Sequence, residues 1–426
     1  MRGLRWLGGW VCVGLVLGVF GTPPSAQAVE DQETVANQPI GIPEVPRRLL
    51  MGLPETPTGR EMKVGIFEVH PSFKTAVRHD DNIFLAPSAE EEDWIFTQTP
   101  AVEAHVKAGD HHFQAGYAAE IANFADNGEE NSVNHLAFGQ MDLLFNDLSF
   151  MASHGFEDTT SRHFTETSAR DDLQINATNV SARYDRPKWA AEGGYVHNDL
   201  NHTKVLFDSS DFTEDIFTLL GGYKIAPKTL LLVEGDIGMV DYDREVDNSD
   251  QDYFQVFGGM RGELTPKSTL TAKLGYQGRD VDDLAGVGAQ KDFGGFVADV
   301  DLQYQPRKET AFDLVYYRTV RNSTFETNNW FRQDKVSVGL RQRFLRKWIF
   351  NPVFSWQQHS YPDAATRAGV TKDREDDFLQ VETGLRYEIQ DWLSTGVAYN
   401  FRERNSNLDV FDYDNNLVTF DVTSVF

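Results

Sequence analysis

Between Val64 and Phe426 apolar and polar residues alternate one for one, and a short polar corner interrupts them about every forty residues. In LTPKSTLTAKLGYQGRD (264–280) Leu270, Ala272, Leu274 and Tyr276 share one side, while Thr271, Lys273, Gln277 and Arg279 share the other. The corners stand at Gly109-Asp110, Asn146-Asp147, Pro187-Lys188, Pro227-Lys228, Pro266-Lys267, Pro306-Arg307, Arg346-Lys347 and Gln390-Asp391. Between them run longer acidic segments such as HDDNIFLAPSAEEED (79–93), DYDREVDNSDQD (241–252) and TKDREDD (371–377). Period two excludes helical repeats. A propeller blade needs four short strands per repeat, and here there is room for two long ones and a loop.

The expected fold is therefore all-β: a closed antiparallel transmembrane β-barrel of about eighteen strands, or about sixteen if the first hairpin is miscounted. Short turns face the periplasm and long acidic loops face outward. Proline belongs at the short corners because it presets a turn and cannot donate into a ladder. The greasy face meets lipid and the polar face meets the lumen. Closure follows because an unpaired edge in hydrocarbon leaves backbone groups without partners. The first barrel strand is expected at 64–78 and the last at 416–426. Strands at 347–358 and 376–389 would flank a loop over 359–375.

Residues 1–28 read as an export signal, with a basic start MRGLR, the apolar core WLGGWVCVGLVLGVF and a small-residue cleavage site Ser25-Ala26-Gln27-Ala28. A membrane anchor would need a longer apolar run. Cys12, the only cysteine, leaves with the signal, so no disulfide framework is possible. Residues 29–62 carry Pro39, Pro43, Pro46, Pro54 and Pro57 and form a Pro-rich periplasmic lead-in, either a linker or a docking peptide. The barrel occupies 63–426. Its location would be the bacterial outer membrane.

A formal charge of −26 argues against a nucleic-acid partner. Period two assigns the lumen face, where a barrel's function resides. Glu234 and Asp236 project inward from one strand, Arg261 and Glu263 from the next, then Lys273 and Arg279. Asp299, Asp301 and Asp313 follow, then Lys335, Arg341 and Arg343, then Glu382, Arg386 and Glu388, and finally Arg402 and Arg404. Such a wall has an acid-rich and a base-rich sector. Either these set up a transverse field across a pore, or neighbouring charges pair across strands and hold the wall.

No nucleophile motif accompanies His79, Asp80 and Asp81, so no enzyme, catalytic residue or cofactor is expected. His105, His111 and His112 cluster at the first periplasmic corner, but residues 111 and 112 point to opposite faces, which disfavours a metal site. The acidic loops either keep the surface soluble or bridge to anionic lipopolysaccharide through divalent cations. On the final strand Val418, Phe420, Val422 and Phe426 share a face. A terminal phenylalanine on an alternating strand resembles the signal that the outer-membrane barrel-assembly machinery reads, with Phe426, Val422 and Phe420 as its residues and Ser424 a departure from it.

The first hairpin, VGIFEVHPSFKTAVRHDDNIFLAP followed by an acidic loop and Trp94-Ile95-Phe96, resembles the putative beta-barrel porin 2 family. Its local mark is Asp81-Asn82-Ile83-Phe84, and the resemblance covers about residues 64–426 through its hairpin rhythm. The resemblance implies an outer-membrane barrel, often linked with exopolysaccharide export, and carries over no catalytic residues. Two functions stay open. One is a passage for hydrophilic solutes or an exported polysaccharide. The other is a non-conducting surface barrel whose acidic loops bind lipopolysaccharide or a partner. Outer-membrane lipid, lipopolysaccharide, the assembly machinery and polysaccharide-export components are the expected partners. Width favours the passage, and loops 279–293 and 359–375 are the candidates for an inward plug that would close it.

Overall fold

The computed structural model describes residues 62–160, 166, 170, 172–203, 210–243, 248–283, 291–323, 328–367 and 370–426. The export signal at 1–28 and the lead-in at 29–62, apart from Met62, lie outside the described residues. The strands are β1 (Met62–Val64), β2 (Phe67–Asp80), β3 (Asp93–Ala108), β4 (His111–Phe124), β5 (Ser132–Phe145) and β6 (Leu148–Thr159). Then come β7 (Leu173–Asp185), β8 (Trp189–His202), β9 (Phe212–Ala226), β10 (Thr229–Tyr242), β11 (Gln251–Thr265) and β12 (Ser268–Val281). The last are β13 (Phe293–Arg307), β14 (Thr310–Asn322), β15 (Trp330–Phe344), β16 (Trp348–Arg367), β17 (Val370–Gln390), β18 (Leu393–Ser406) and β19 (Tyr413–Val425).

Each strand from β2 onward pairs antiparallel with the next, and β19 pairs back onto β2 from Leu417↔Asp80 to Val425↔Ser72. The ring is an eighteen-stranded barrel. The short β1 pairs with the start of β2 (Met62↔Val69), below the point where β19 ends. It covers an edge that would otherwise show unpaired amides.

Alternation sets the two faces. Along β10, Leu231, Val233 and Ile237 are exposed, Val233 by 63%, while Leu232, Glu234 and Asp236 are buried, Glu234 to 1%. The exposed set meets lipid. Outward residues across the register, such as Val256 and Leu274, continue the same apolar belt. The inner face departs from the expectation of a uniformly polar wall. Leu173, Leu200, Phe212, Val240, Tyr242 and Tyr253 form one buried apolar cluster on β7–β11, and Ala190, Leu220, Leu230 and Leu232 form another. These side chains fill the wall and exclude water from the charges beside them.

Several boundaries differ from the sequence reading: Gln390 still belongs to β17, so the last inner turn is Asp391-Trp392, and the first and last barrel strands start at Phe67 and Tyr413. Pro306-Arg307 is not a corner but the end of β13, and the turn is Lys308-Glu309. A register shift between Tyr304 and Arg307 accommodates the proline, whose missing donor is tolerated at a bulge. Residues 359–375 are not one loop either. The ladder of β16 and β17 runs on through Ala364↔Asp373 to Arg367↔Val370, after an irregularity between Ser360 and Ala364. Pro362 and the run Ala364-Ala365-Thr366 hide that extension, because they break the period.

At the β10–β11 end a glycine is required. Gly262 has φ +138, and a Cβ there would lie inside the van der Waals envelope of the Lys228 carbonyl oxygen.

Candidate functional site: the inner wall and the outer mouth

Bonds that skip strands identify the concave face, since only inward side chains can reach across it. Arg261 Nη2 on β11 donates to Glu192 Oε2 on β8 at 3.3 Å, and Arg183 Nη1 on β7 reaches the same oxygen at 3.4 Å. Lys273 Nζ on β12 donates to Glu234 Oε1 on β10 at 2.9 Å and lies 3.4 Å from Asp299. Asp236 accepts from Thr218 Oγ1 at 2.8 Å and Gln255 Nε2 at 3.3 Å. Arg279 Nη1 donates to Gln251 and Asn322, both at 2.7 Å. Glu263 lies at the periplasmic rim, where Lys228 Nζ donates to it at 2.7 Å.

Across the other half of the ring, Arg343 holds Glu388 through two nitrogens at 2.5 and 3.0 Å. Arg386 donates to Ser394 Oγ at 3.0 Å and lies 3.6 Å from Asp421. Arg402 Nε donates to Asn415 Oδ1 at 2.7 Å. Lys335 sits over the Tyr317 ring, 5.8 Å from its centroid. Asp301 shares the rung of Thr271 and Val315, Asp313 that of Gln303 and Gly339, Arg341 that of Ala311, and Glu382 that of Val353 and Asn400. Pairing across strands accounts for part of the wall's charge: Arg261, Lys273, Arg343, Arg386 and Glu263 meet opposite charges, whereas Arg279 and Arg402 bond to neutral amides. The partners Glu192, Arg183 and Asp421 also alternate inward; the sequence reading missed them, and parity is the signal that would have found them.

The outer mouth is where the sequence reading fell short. Glu166, between β6 and β7, lies on the far side of the ring from those strands. Its carboxylate accepts from Ser323 Oγ at 2.6 Å, and its backbone carbonyl accepts from Arg374 Nη2 at 3.0 Å and Arg404 Nη1 at 3.3 Å. Arg374 is fully buried against Asp376, at 2.6 Å, and stacks on Phe411 and Tyr361. Arg404 Nε also donates to the Phe411 carbonyl and lies over Tyr413. Other loops join this layer. Asn329 Oδ1 accepts from Ser249 N at 2.7 Å, Asn328 exchanges bonds with Asp363, and Lys291 reaches Asp363 at 3.2 Å and the Pro362 carbonyl. The sequence SRHFTETSARDD around Glu166 has no period, so nothing in it predicts the contacts of Glu166. Residues 284–290 of the expected 279–293 plug lie outside the described residues.

Acids at the strand ends act as caps. Asp93 accepts from the backbone amides of Ala125, Asp126 and Asn127 at 3.0, 3.2 and 2.9 Å. Asp211, Asp250, Asp292 and Asp412 take the amides of His202, Tyr242, Val281 and Ser406 in the same way. The Asp81-Asn82 mark clasps the seam between β2 and β19. Asn82 Nδ2 donates to the carbonyls of Ala86 (2.9 Å) and Asp414 (3.0 Å), its Oδ1 accepts from Ala86 N (2.8 Å), and Asp81 holds both amide groups of Asn416 at 2.6 Å. At the other end Phe426 N donates to Pro71 O at 3.0 Å, and its ring stacks on Trp392.

Of the histidines, His111 packs on Phe145, whereas His112 faces Asp142 and lies 3.2 Å from His105 across their ring nitrogens. Among the described residues no three ligands converge on a metal position.

The family model described as putative beta-barrel porin 2 matches residues 54–426. No curated protein matches the chain in sequence. Among solved structures, the outer membrane protein OpdK from Pseudomonas aeruginosa is 10% identical with a TM-score of 0.47, covering 84% of this chain and 99% of its own. OccAB3 from Acinetobacter baumannii is 13% identical with a TM-score of 0.44, covering 85% and 100%. OprD from Pseudomonas aeruginosa is 11% identical with a TM-score of 0.43, covering 84% and 95%.

Proposed function

Because the chain belongs to the putative beta-barrel porin 2 family, we propose that this outer-membrane barrel is a porin-like passage for small hydrophilic solutes, narrowed at its outer mouth. The observation that carries the size limit is Glu166, held against the opposite wall by Ser323, Arg374 and Arg404. Fixed dipoles and charges lining the passage beneath it favour water and polar solutes over lipid. Matched pairs such as Lys273–Glu234 and Arg343–Glu388 leave only weak preference for either sign of charge. An exported polysaccharide chain would have to displace the mouth layer, so we place small neutral or weakly charged solutes ahead of it.

Planar-bilayer recording of purified protein, with liposome swelling in neutral sugars of graded size, tests this. The wild type is expected to conduct in small steps and to admit mono- and disaccharides ahead of longer oligomers. Arg402→Glu is expected to shift the reversal potential towards cations. Complete absence of conductance would reject the passage and favour the non-conducting barrel.

A further inference from the structure

The inner wall keeps Arg183, Arg261, Arg279, Arg374, Arg402 and Arg404 turned inward. Arg318 on β14 and Arg332 on β15 are turned the other way. Arg318 is the direct cross-strand partner of Asp334, and both share parity with the exposed residues Phe312, Leu314 and Val338 of the lipid-facing belt. Asp334 gathers the group: it accepts from Tyr316 Oη at 3.3 Å, Arg318 Nη1 at 3.5 Å and Arg332 Nε at 3.2 Å. Arg332 Nη2 also donates to Ser360 Oγ at 3.1 Å.

Within this bonded group two guanidiniums meet one carboxylate, a local positive surplus. Each guanidinium carries five N–H donors in a planar fork suited to phosphate oxygens. Asp334 and Ser360 occupy only some of them, whereas Arg318 Nε is buried without a partner and lies out of a ligand's reach. Both side chains stay partly open, at 31% and 32% exposure. The pair sits towards the long-loop ends of β14 and β15, directly above the apolar belt, which is headgroup level in the outer leaflet. Outward positions at the same end of β11 and β12 carry Asp252 and Asp280, which repel anions, while on the nearer side Asp377 and Glu375 stand one strand beyond Gln358 and Ser360, with Asp377 accepting from Gln358 Nε2 at 3.3 Å.

We propose that Arg318 and Arg332 form a lateral binding site for a phosphate group on the headgroup of an outer-leaflet glycolipid, whose acyl chains lie on the belt below. The site opens to lipid, not to the lumen, which favours a headgroup over free phosphate. This inference does not rest on the passage reading, because it concerns the opposite face of the wall.

Native mass spectrometry of the detergent-solubilised full chain tests it with bisphosphorylated lipid A, dephosphorylated lipid A and inorganic phosphate. The wild type is expected to retain the bisphosphorylated form about ten-fold better than the dephosphorylated one. The double variant Arg318→Gln/Arg332→Gln, shown to be folded by heat-modifiable gel migration, is expected to lose that preference. Equal retention of the two lipids by the wild type overturns the proposal without recourse to any variant, as does an unchanged preference in the double variant. Displacement of the lipid by millimolar inorganic phosphate would overturn the headgroup assignment in favour of the free ion.

Discussion

Asn82 has no accessible surface, and its amide satisfies one backbone donor and two backbone acceptors at the seam. Replacing it with alanine removes three hydrogen bonds at a part-buried seam, a loss of about 1–3 kcal/mol. Asn82→Ala should therefore lower the temperature at which the compact gel band converts to the unfolded one, and an unchanged midpoint would show that the clasp is redundant. This role was not legible in the sequence, where Asp81-Asn82-Ile83-Phe84 read only as a family mark, because Asp414 is 332 positions away. Inward placement was legible, since period two fixes which face Glu234, Arg261 and Lys273 share. Their partners were not. The bond from Arg261 to Glu192 spans three strand steps, and which residues meet over that span depends on stagger, which alternation does not encode.

The strands themselves were almost wholly readable from alternation and corner chemistry, as β4 (111–124) and β5 (132–145) illustrate. Failure came where a ladder continues through residues without alternation, as in β16 and β17. That hairpin reaches beyond its neighbours and carries Arg374, one anchor of Glu166. Ser360 and Glu375 face each other across it, so residues 361–374 can be replaced by an Asn-Gly turn without disturbing the register below. The shortened protein should keep its heat-modifiable migration and conduct at least about two-fold more than wild type. Equal conductance would mean that Arg404 and Ser323 suffice to hold the mouth.

At the scale of the molecule, a formal charge of −26 invites the idea of a calcium-binding surface. The structure points elsewhere, since Asp93, Asp211, Asp250, Asp292 and Asp412 are committed to backbone amides at the strand ends. A hard cation needs six or more oxygens arranged around it. Calorimetry with calcium should thus show only weak binding, in about the millimolar range, and a micromolar site would show that the loops gather ligands the caps leave over. The seam has one more consequence. Asp80 and its partner Asn415 are 335 positions apart, so the ring stays open until β19 is in place. A chain cut short of that strand keeps two raw edges, each a template for unwanted pairing. The seam is thereby the joint that only a chain carrying β19 can close.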